Sequence, residues 1–142
     1  MELQTIEIVT LTNSGISIIM GLYMLFLYRT TAANGTAYWA FGSLLIGLGL
    51  LLRLTPPADQ YISMVGPGVF VSIGLYLYLA GIWEFKERKI HIWVIVGFPL
   101  LDFIQSLVFF FIFHSFRTQV ILHVLFLIIY SILAIYEMFK LT

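Results

Sequence analysis

Five apolar runs separated by short polar breaks divide the 142-residue chain. They cover residues 6–28, 37–54, 61–84, 92–113 and 118–139. The breaks read RTTAANGT (29–36), TPPADQ (55–60), FKERKIH (85–91) and HSFR (114–117). Each break carries turn formers or charges that a helix in hydrocarbon avoids. A membrane-crossing helix needs about 20 mostly apolar residues, and an open strand in lipid would leave its backbone groups unpaired. The pattern therefore predicts an all-α integral membrane protein: a five-transmembrane-helix bundle forming one domain over residues 1–142.

Composition strengthens this picture. Hydrophobic residues make up 61% and charged residues 10%, with mean hydropathy +1.04, whereas soluble domains carry roughly 25% charged residues. A water-soluble domain is excluded. Seven basic residues balance seven acidic ones, so there is no basic surface for nucleic acid. With no cysteine, disulfides, thiolate chemistry and Cys-ligated metals fall away. The N-terminus MELQTIEIVTLTNSG lacks the basic region and cleavage site of a signal peptide, so the first run is expected to remain in the mature protein.

Charge placement gives a direction. Alternating crossings put Arg29, Lys86, Arg88, Lys89 and Lys140 on one side and Arg53 and Arg117 on the other. Short basic loops stay cytoplasmic, which places the N-terminus outside and the C-terminus inside. Trp39, Trp83 and Trp93 are expected at the cytoplasmic interface, where amphipathic rings anchor helices.

Intramembrane polar residues mark the candidate site. An ionisable group at the bilayer centre costs about 2.5–3.5 kcal/mol on insertion scales, and Asp102 lies halfway along the fourth run. Gln105 and Ser106 follow it on the same helical face. Counting about 1.5 Å per residue from the outer ends puts Ser17, Ser43, Ser72 and Asp102 at a common depth of roughly 16 Å. Asn13, Gln105 and His123 form a second layer nearer the outside, and Tyr130 lies slightly deeper. Two roles are open to this group: hydrogen-bonded glue between helices, or a pocket sensing a small molecule or proton, with Asp102 as its titrating group. A proton or ion path has thinner support, because Asp102 has no relay partner at matching depth. Arg53 and Arg117 are expected to snorkel to headgroups or to meet Asp59 or Glu7 at the rim of an outer cavity. Glu84, Glu87, Arg88 and Lys89 read as a solvated loop face.

Small residues at four-residue spacing, Ser17/Gly21, Ser43/Gly47 and Gly68/Ser72, predict close helix packing in a bundle or homodimer. Pro67 and Pro99 are expected to loosen or bend their helices. Other functions lack their residues. No lysine lies within a run for a retinal Schiff base, the three histidines are poorly placed for bis-histidine haem, and no enzyme motif occurs. The expectation is a non-enzyme without cofactor or metal.

The segment from Tyr28 to Lys89 reads YRTTAANGTAYWAFGSLLIGLGLLLRLTPPADQYISMVGPGVFVSIGLYLYLAGIWEFKERK. It resembles the N-terminal multi-helix membrane region of bacterial diguanylate cyclases of the GGDEF type and of sensor histidine kinases. The resemblance rests on Arg29 closing the first helix, the Tyr38-Trp39 pair opening a Gly/Leu-rich helix that ends at Arg53, the Gly66–Gly68 start of the next, and its LAGIWEF end before a basic loop. It implies a sensory input module of the bacterial inner membrane that passes a signal to a cytoplasmic kinase or cyclase output domain. In that family the last membrane helix continues into the output domain, whereas this chain stops at Lys140-Leu141-Thr142. The resemblance therefore implies an output domain cut away or a separate partner. A small accessory subunit of a larger membrane complex is the alternative. A transporter or channel component ranks third, because five helices do not divide into paired inverted repeats.

Overall fold

The computed structural model of the chain describes residues 2–54, 60–113 and 116–140. Five α-helices succeed one another: α1 (Glu2–Thr31), α2 (Thr36–Leu52), α3 (Gln60–Phe85), α4 (Ile92–Phe111) and α5 (Phe116–Phe139). The breaks at 29–36 and 85–91 fall at the α1–α2 and α3–α4 junctions as expected; residues 55–59 and 114–115 of the other two lie outside the described residues, and Gln60, Phe116 and Arg117 belong to α3 and α5. Four helices hold a stretch long and apolar enough to cross a membrane: Thr5–Thr31, Val65–Phe85, Ile92–Phe111 and Val120–Phe139. These mark a membrane protein. Helix α2 has 17 residues, about 25 Å at 1.5 Å per residue, which is the short end of the crossing range.

The helices stack in layers rather than closing into a ring. Among the described residues, helix α1 packs on α2 alone, α2 also packs on α3, and α3 meets both α4 and α5, which pack on each other. Helix α3 is thus the hub. Its transmembrane stretch is the most buried of the four, while α1, α4 and α5 turn large side chains such as Ile19, Phe26, Ile104, Ile128 and Ile132 outward. In lipid those faces meet a solvent as apolar as themselves.

Two heptad-spaced seams of small residues hold α1, α2 and α3 together. On α2 and its N-terminal approach, Gly35, Gly42 and Gly49 face Gly81, Gly74 and Pro67 of α3 in antiparallel register. A Cβ on Gly42 would lie 2.7 Å from the Gly74 carbonyl oxygen, and a Cβ on Gly74 equally close to the Gly42 oxygen. The two backbones therefore touch directly. Gly35 has φ +83°, a left-handed conformation that favours glycine, and it turns the chain into α2 against the Gly81 backbone. The other face of α2 meets α1, with Gly47 against Ser14 and Ala40 against Gly21. Ser14 Oγ donates to the Gly47 carbonyl at 2.7 Å.

Several expectations change. Gly21 and Gly47 pack as predicted, but Ser14 rather than Ser17 makes the polar contact between α1 and α2. Only Trp93, 84% exposed, faces outward as an anchor would. Trp83 is buried with its ring edge-on to His91, and Trp39 Nε1 donates to the Tyr78 carbonyl at 3.1 Å. The Trp39 placement follows from the glycine seam, because Gly81 leaves a hollow in α3 that the Trp39 ring fills; Trp83 joins the cluster of Tyr76, Leu79 and Tyr130.

Gly42→Ala tests the seam. Overpacking costs about 1–3 kcal/mol, more than the roughly 1 kcal/mol that alanine gains in a helix interior, so this variant should unfold at lower temperature. At Gly15 a Cβ would meet nothing within 4 Å, so Gly15→Ala should unfold at the same or a higher temperature. Thermal melts of the detergent-solubilised protein followed by circular dichroism separate the two.

Candidate functional site

The three helices that pack together in the second half of the chain each contribute to one buried polar group. Asp102 of α4 is 2% exposed and turns inward, because the outward positions beside it are apolar: Leu101, Phe103 and Ile104. Ser72 of α3 donates from Oγ to Asp102 Oδ2 at 2.6 Å. His123 Nδ1 of α5 sits 2.9 Å from Oδ2 and 3.1 Å from Oδ1. Gln105, one turn along α4, donates from Nε2 to Oδ1 at 3.2 Å and to Ser106 Oγ at 3.3 Å. A single carboxylate thus accepts from three residues on three helices.

Small residues make the junction possible. Gly68 lies one turn before Ser72, and the imidazole of His123 rests where a side chain would stand, 3.4 Å from the position of a Cβ. Gly68 and Ser72 are therefore a pair with a use, although the use is to seat His123 and bind Asp102. Gln105 Oε1 is buried without a hydrogen-bond partner. The order of the residues does not suit activation of a serine. Ser72 and His123 both bind Asp102, whereas nucleophile activation needs the imidazole between hydroxyl and carboxylate. The arrangement can hold a charge or a proton on the carboxylate–imidazole pair and can couple that state to the positions of α3, α4 and α5.

Of the expected site residues, Ser72, Asp102, Gln105, Ser106 and His123 come together. The others do not. Asn13 is exposed on α1 and Ser17 is half-buried there. Ser43 hydrogen-bonds Tyr78 across the α2–α3 interface. Ser17 and Ser43 were expected at the depth of Asp102 and Asn13 in the layer nearer the outside, but among the described residues α1 and α2 do not pack on α4 or α5. Tyr130 is buried one layer away with its ring edge-on to Tyr76 at 5.1 Å. It lines a shallow apolar crevice with Tyr76, Phe98, Phe126, Ile129 and Leu133. The expectation that Asp102 lacks a relay partner is overturned by His123. Arg53 and Arg117 are exposed, as is Glu7, and no ion pair joins them among the described residues. Asp59 lies outside those residues.

A second polar contact at the far end of α3 escaped the sequence reading. Helix α3 ends in a Schellman motif: Glu87 adopts φ +54°, Glu87 N–H donates to the Glu84 carbonyl, and Arg88 N–H donates to the Trp83 carbonyl. This turn aims two cations at the end of α5. Lys86 Nζ donates to the carbonyls of Glu137, Met138 and Lys140 at 2.6, 2.9 and 2.9 Å, capping the helix terminus as a cation does well. Arg88 pairs with Glu137 Oε2 at 2.9 Å. Arg88 thus belongs to an interhelical contact rather than to a solvated loop face, while Glu87 and Lys89 are exposed.

The chain matches no family model, no curated protein and no solved structure. Its site is therefore read from its own chemistry.

Removing one partner of a buried ionic pair costs about 3–5 kcal/mol, while replacing both with apolar residues is often neutral. Asp102→Leu and His123→Leu should each destabilise the protein strongly, and the double variant should be more stable than the sum of the two losses by about 1–3 kcal/mol. Strictly additive losses in a double-mutant cycle would mean that the two side chains do not interact.

Proposed function

We propose that this chain is a membrane-embedded signal-input module. In this reading the Asp102 junction registers an outer-face or intramembrane signal, and α5 passes it to a cytoplasmic output domain or partner. The observation that carries the reading is the carboxylate–imidazole pair buried where α3, α4 and α5 meet. An intramembrane ionisable pair is expensive and is a functional site by default, and for packing alone apolar residues would serve as well. The second contact supports the same reading, because Lys86 and Arg88 tie the far end of α3 to the last turn of α5. A change at the junction would reach the end of α5 through two helices joined at both levels.

All five helices cross the membrane in this proposal, with the N-terminus outside and the C-terminus inside. Helix α2 crosses in spite of its length because glycine seams bind it along both faces. The basic residues Arg29, Lys86, Arg88, Lys89 and Lys140 then lie on the cytoplasmic side. The resemblance of residues 28–89 to the membrane regions of bacterial cyclases and histidine kinases favours a bacterial inner membrane and an output of that kind. The reading assigns the chain no catalysis and no cofactor. A small accessory subunit of a larger membrane complex is the second reading, favoured by the outer face of α1, where Ile8, Ile19, Leu22 and Phe26 stand exposed.

Two fusions test the proposal. A cytoplasm-active reporter joined after Lys140 should be active, and activity seen only on the outer face would reverse the orientation. With a cyclase domain joined to the C-terminus, Lys86→Ala should change the cyclase output several-fold with a loss of stability of about 1 kcal/mol, since it removes capping bonds at the partly exposed end of α5. Equal output from wild type, Lys86→Ala and Asp102→Asn would leave the accessory subunit as the better reading.

A further inference from the structure

We propose that the chain forms a two-fold symmetric homodimer in the membrane through one flank of α1, with Asn13 of each copy paired to Asn13 of the other.

Helix α1 stands at the open edge of the stack, because among the described residues it packs on α2 alone. The face it gives to α2 carries Ser14, Ile18 and Gly21. A different flank repeats at alternating intervals of three and four: Ile6, Val9, Asn13, Ile16, Met20 and Tyr23. Its apolar members are 45–58% exposed. This spacing is that of the a and d positions of a heptad, the 3.5-residue period of a seam between two supercoiled helices. Apolarity alone would not single out the flank, since lipid tails are as apolar as leucine. Asn13 singles it out.

Asn13 lies eight residues, about 12 Å, inside the Thr5 end of the transmembrane stretch Thr5–Thr31. Its side chain is exposed and makes no hydrogen bond among the described residues. The hydroxyl of the neighbouring Thr12 folds back onto the Ile8 carbonyl at 2.8 Å, whereas the Asn13 carboxamide keeps two donor hydrogens and an acceptor oxygen open. Hydrocarbon offers these groups nothing, and an amide without partners there is costly. The cost is relieved by a hydrogen-bonding side chain from another helix at the same depth.

A second copy supplies that side chain. Copies of one chain insert in one direction, so their α1 helices run parallel, and in a parallel pair each a position faces its own counterpart. A two-fold axis along the seam sets one surface against itself. Asn13 then meets Asn13, and an amide that both donates and accepts is complementary to its own copy. One Asn at an a position also fixes the register and the number of strands. The interface uses neither Asp102 nor any residue bonded to it, so it holds or fails independently of the signalling reading.

Since the chain has no cysteine, a single introduced one reports its own neighbours. In membranes from cells expressing the full chain, oxidation of Ile16→Cys should give a disulfide-linked species of twice the chain mass. Leu22→Cys, at a position 55% exposed on another flank of α1, should stay monomeric. Sedimentation equilibrium of the purified full chain in detergent should show a dimer whose dissociation constant rises roughly 3–30-fold in Asn13→Leu, with most of the affinity restored in Asn13→Gln. Because Asn13 bonds nothing within its own chain, Asn13→Leu should keep the circular dichroism of the wild type. Absence of the Ile16→Cys dimer, equal crosslinking at positions 16 and 22, or a dissociation constant that Asn13→Leu leaves unchanged overturns the proposal. Crosslinking of Ile16→Cys to a protein of a different mass overturns it in favour of an accessory subunit seated in a larger complex.

Discussion

Taking a carboxylate out of water costs several kcal/mol even after the surroundings relax, and Asp102 is buried in a helix whose other faces are apolar. That cost has to be met by donors, and α4 alone supplies only Gln105. The remaining donors come from Ser72 on α3 and His123 on α5. The need to compensate one charge therefore sets which helices must adjoin, how α4 is rotated, and the height at which the three cross.

The consequences run along the bundle. Ser72 and Lys86 are fourteen residues apart on α3 and its C-terminal turn, and His123 and Glu137 are fourteen apart on α5. Both intervals are close to four helical turns, about 21 Å, so parallel α3 and α5 are tied at two matching levels. Between the ties lies the apolar cluster of Tyr76, Leu79, Trp83 and Tyr130. The opposite side of α3 is built differently. There the backbones of α2 and α3 touch through glycines, and α1 packs on α2 in the same way. One half of the molecule is fixed by close contact that tolerates little displacement, and the other is held by a few polar contacts that a proton, an ion or a displaced side chain can break. Helix α3 belongs to both halves, which suits it as a fixed reference against which α4 and α5 move.

The helices were legible in the sequence because lipid leaves only short polar breaks between long apolar runs. The inward face of α4 was legible from Asp102, Gln105 and Ser106 at helical spacing, and Ser72 from its depth. Depth is only one coordinate, however. It grouped Ser17 and Ser43 with Asp102 although α1 and α2 do not pack on α4 among the described residues, and it set His123 one layer away, beside Asn13, although the His123 side chain reaches both carboxylate oxygens. Lateral neighbours were encoded in a signal of a different period: Gly35, Gly42 and Gly49 recur every seven residues, opposite Gly74 and Gly81. A search for small residues four apart catches Gly21 and Gly47 but misses that stripe. Trp39 and Trp83 stand in the end turns of α2 and α3, as their sequence positions imply, but their rings turn inward, one into the hollow left by Gly81 and the other against His91. Glu137 looked unremarkable in sequence because its partner Arg88 is delivered by a left-handed turn at Glu87.

The contact between Asp102 and His123 has to persist inside a bilayer. Solid-state NMR of the isotope-labelled protein in lipid bilayers measures it directly. A short through-space contact between the Asp102 carboxyl carbon and the His123 imidazole Nδ1, with the carboxyl protected from water, is the result the structure requires. An Asp102 carboxyl that exchanges freely with water and shows no contact to His123 would contradict it.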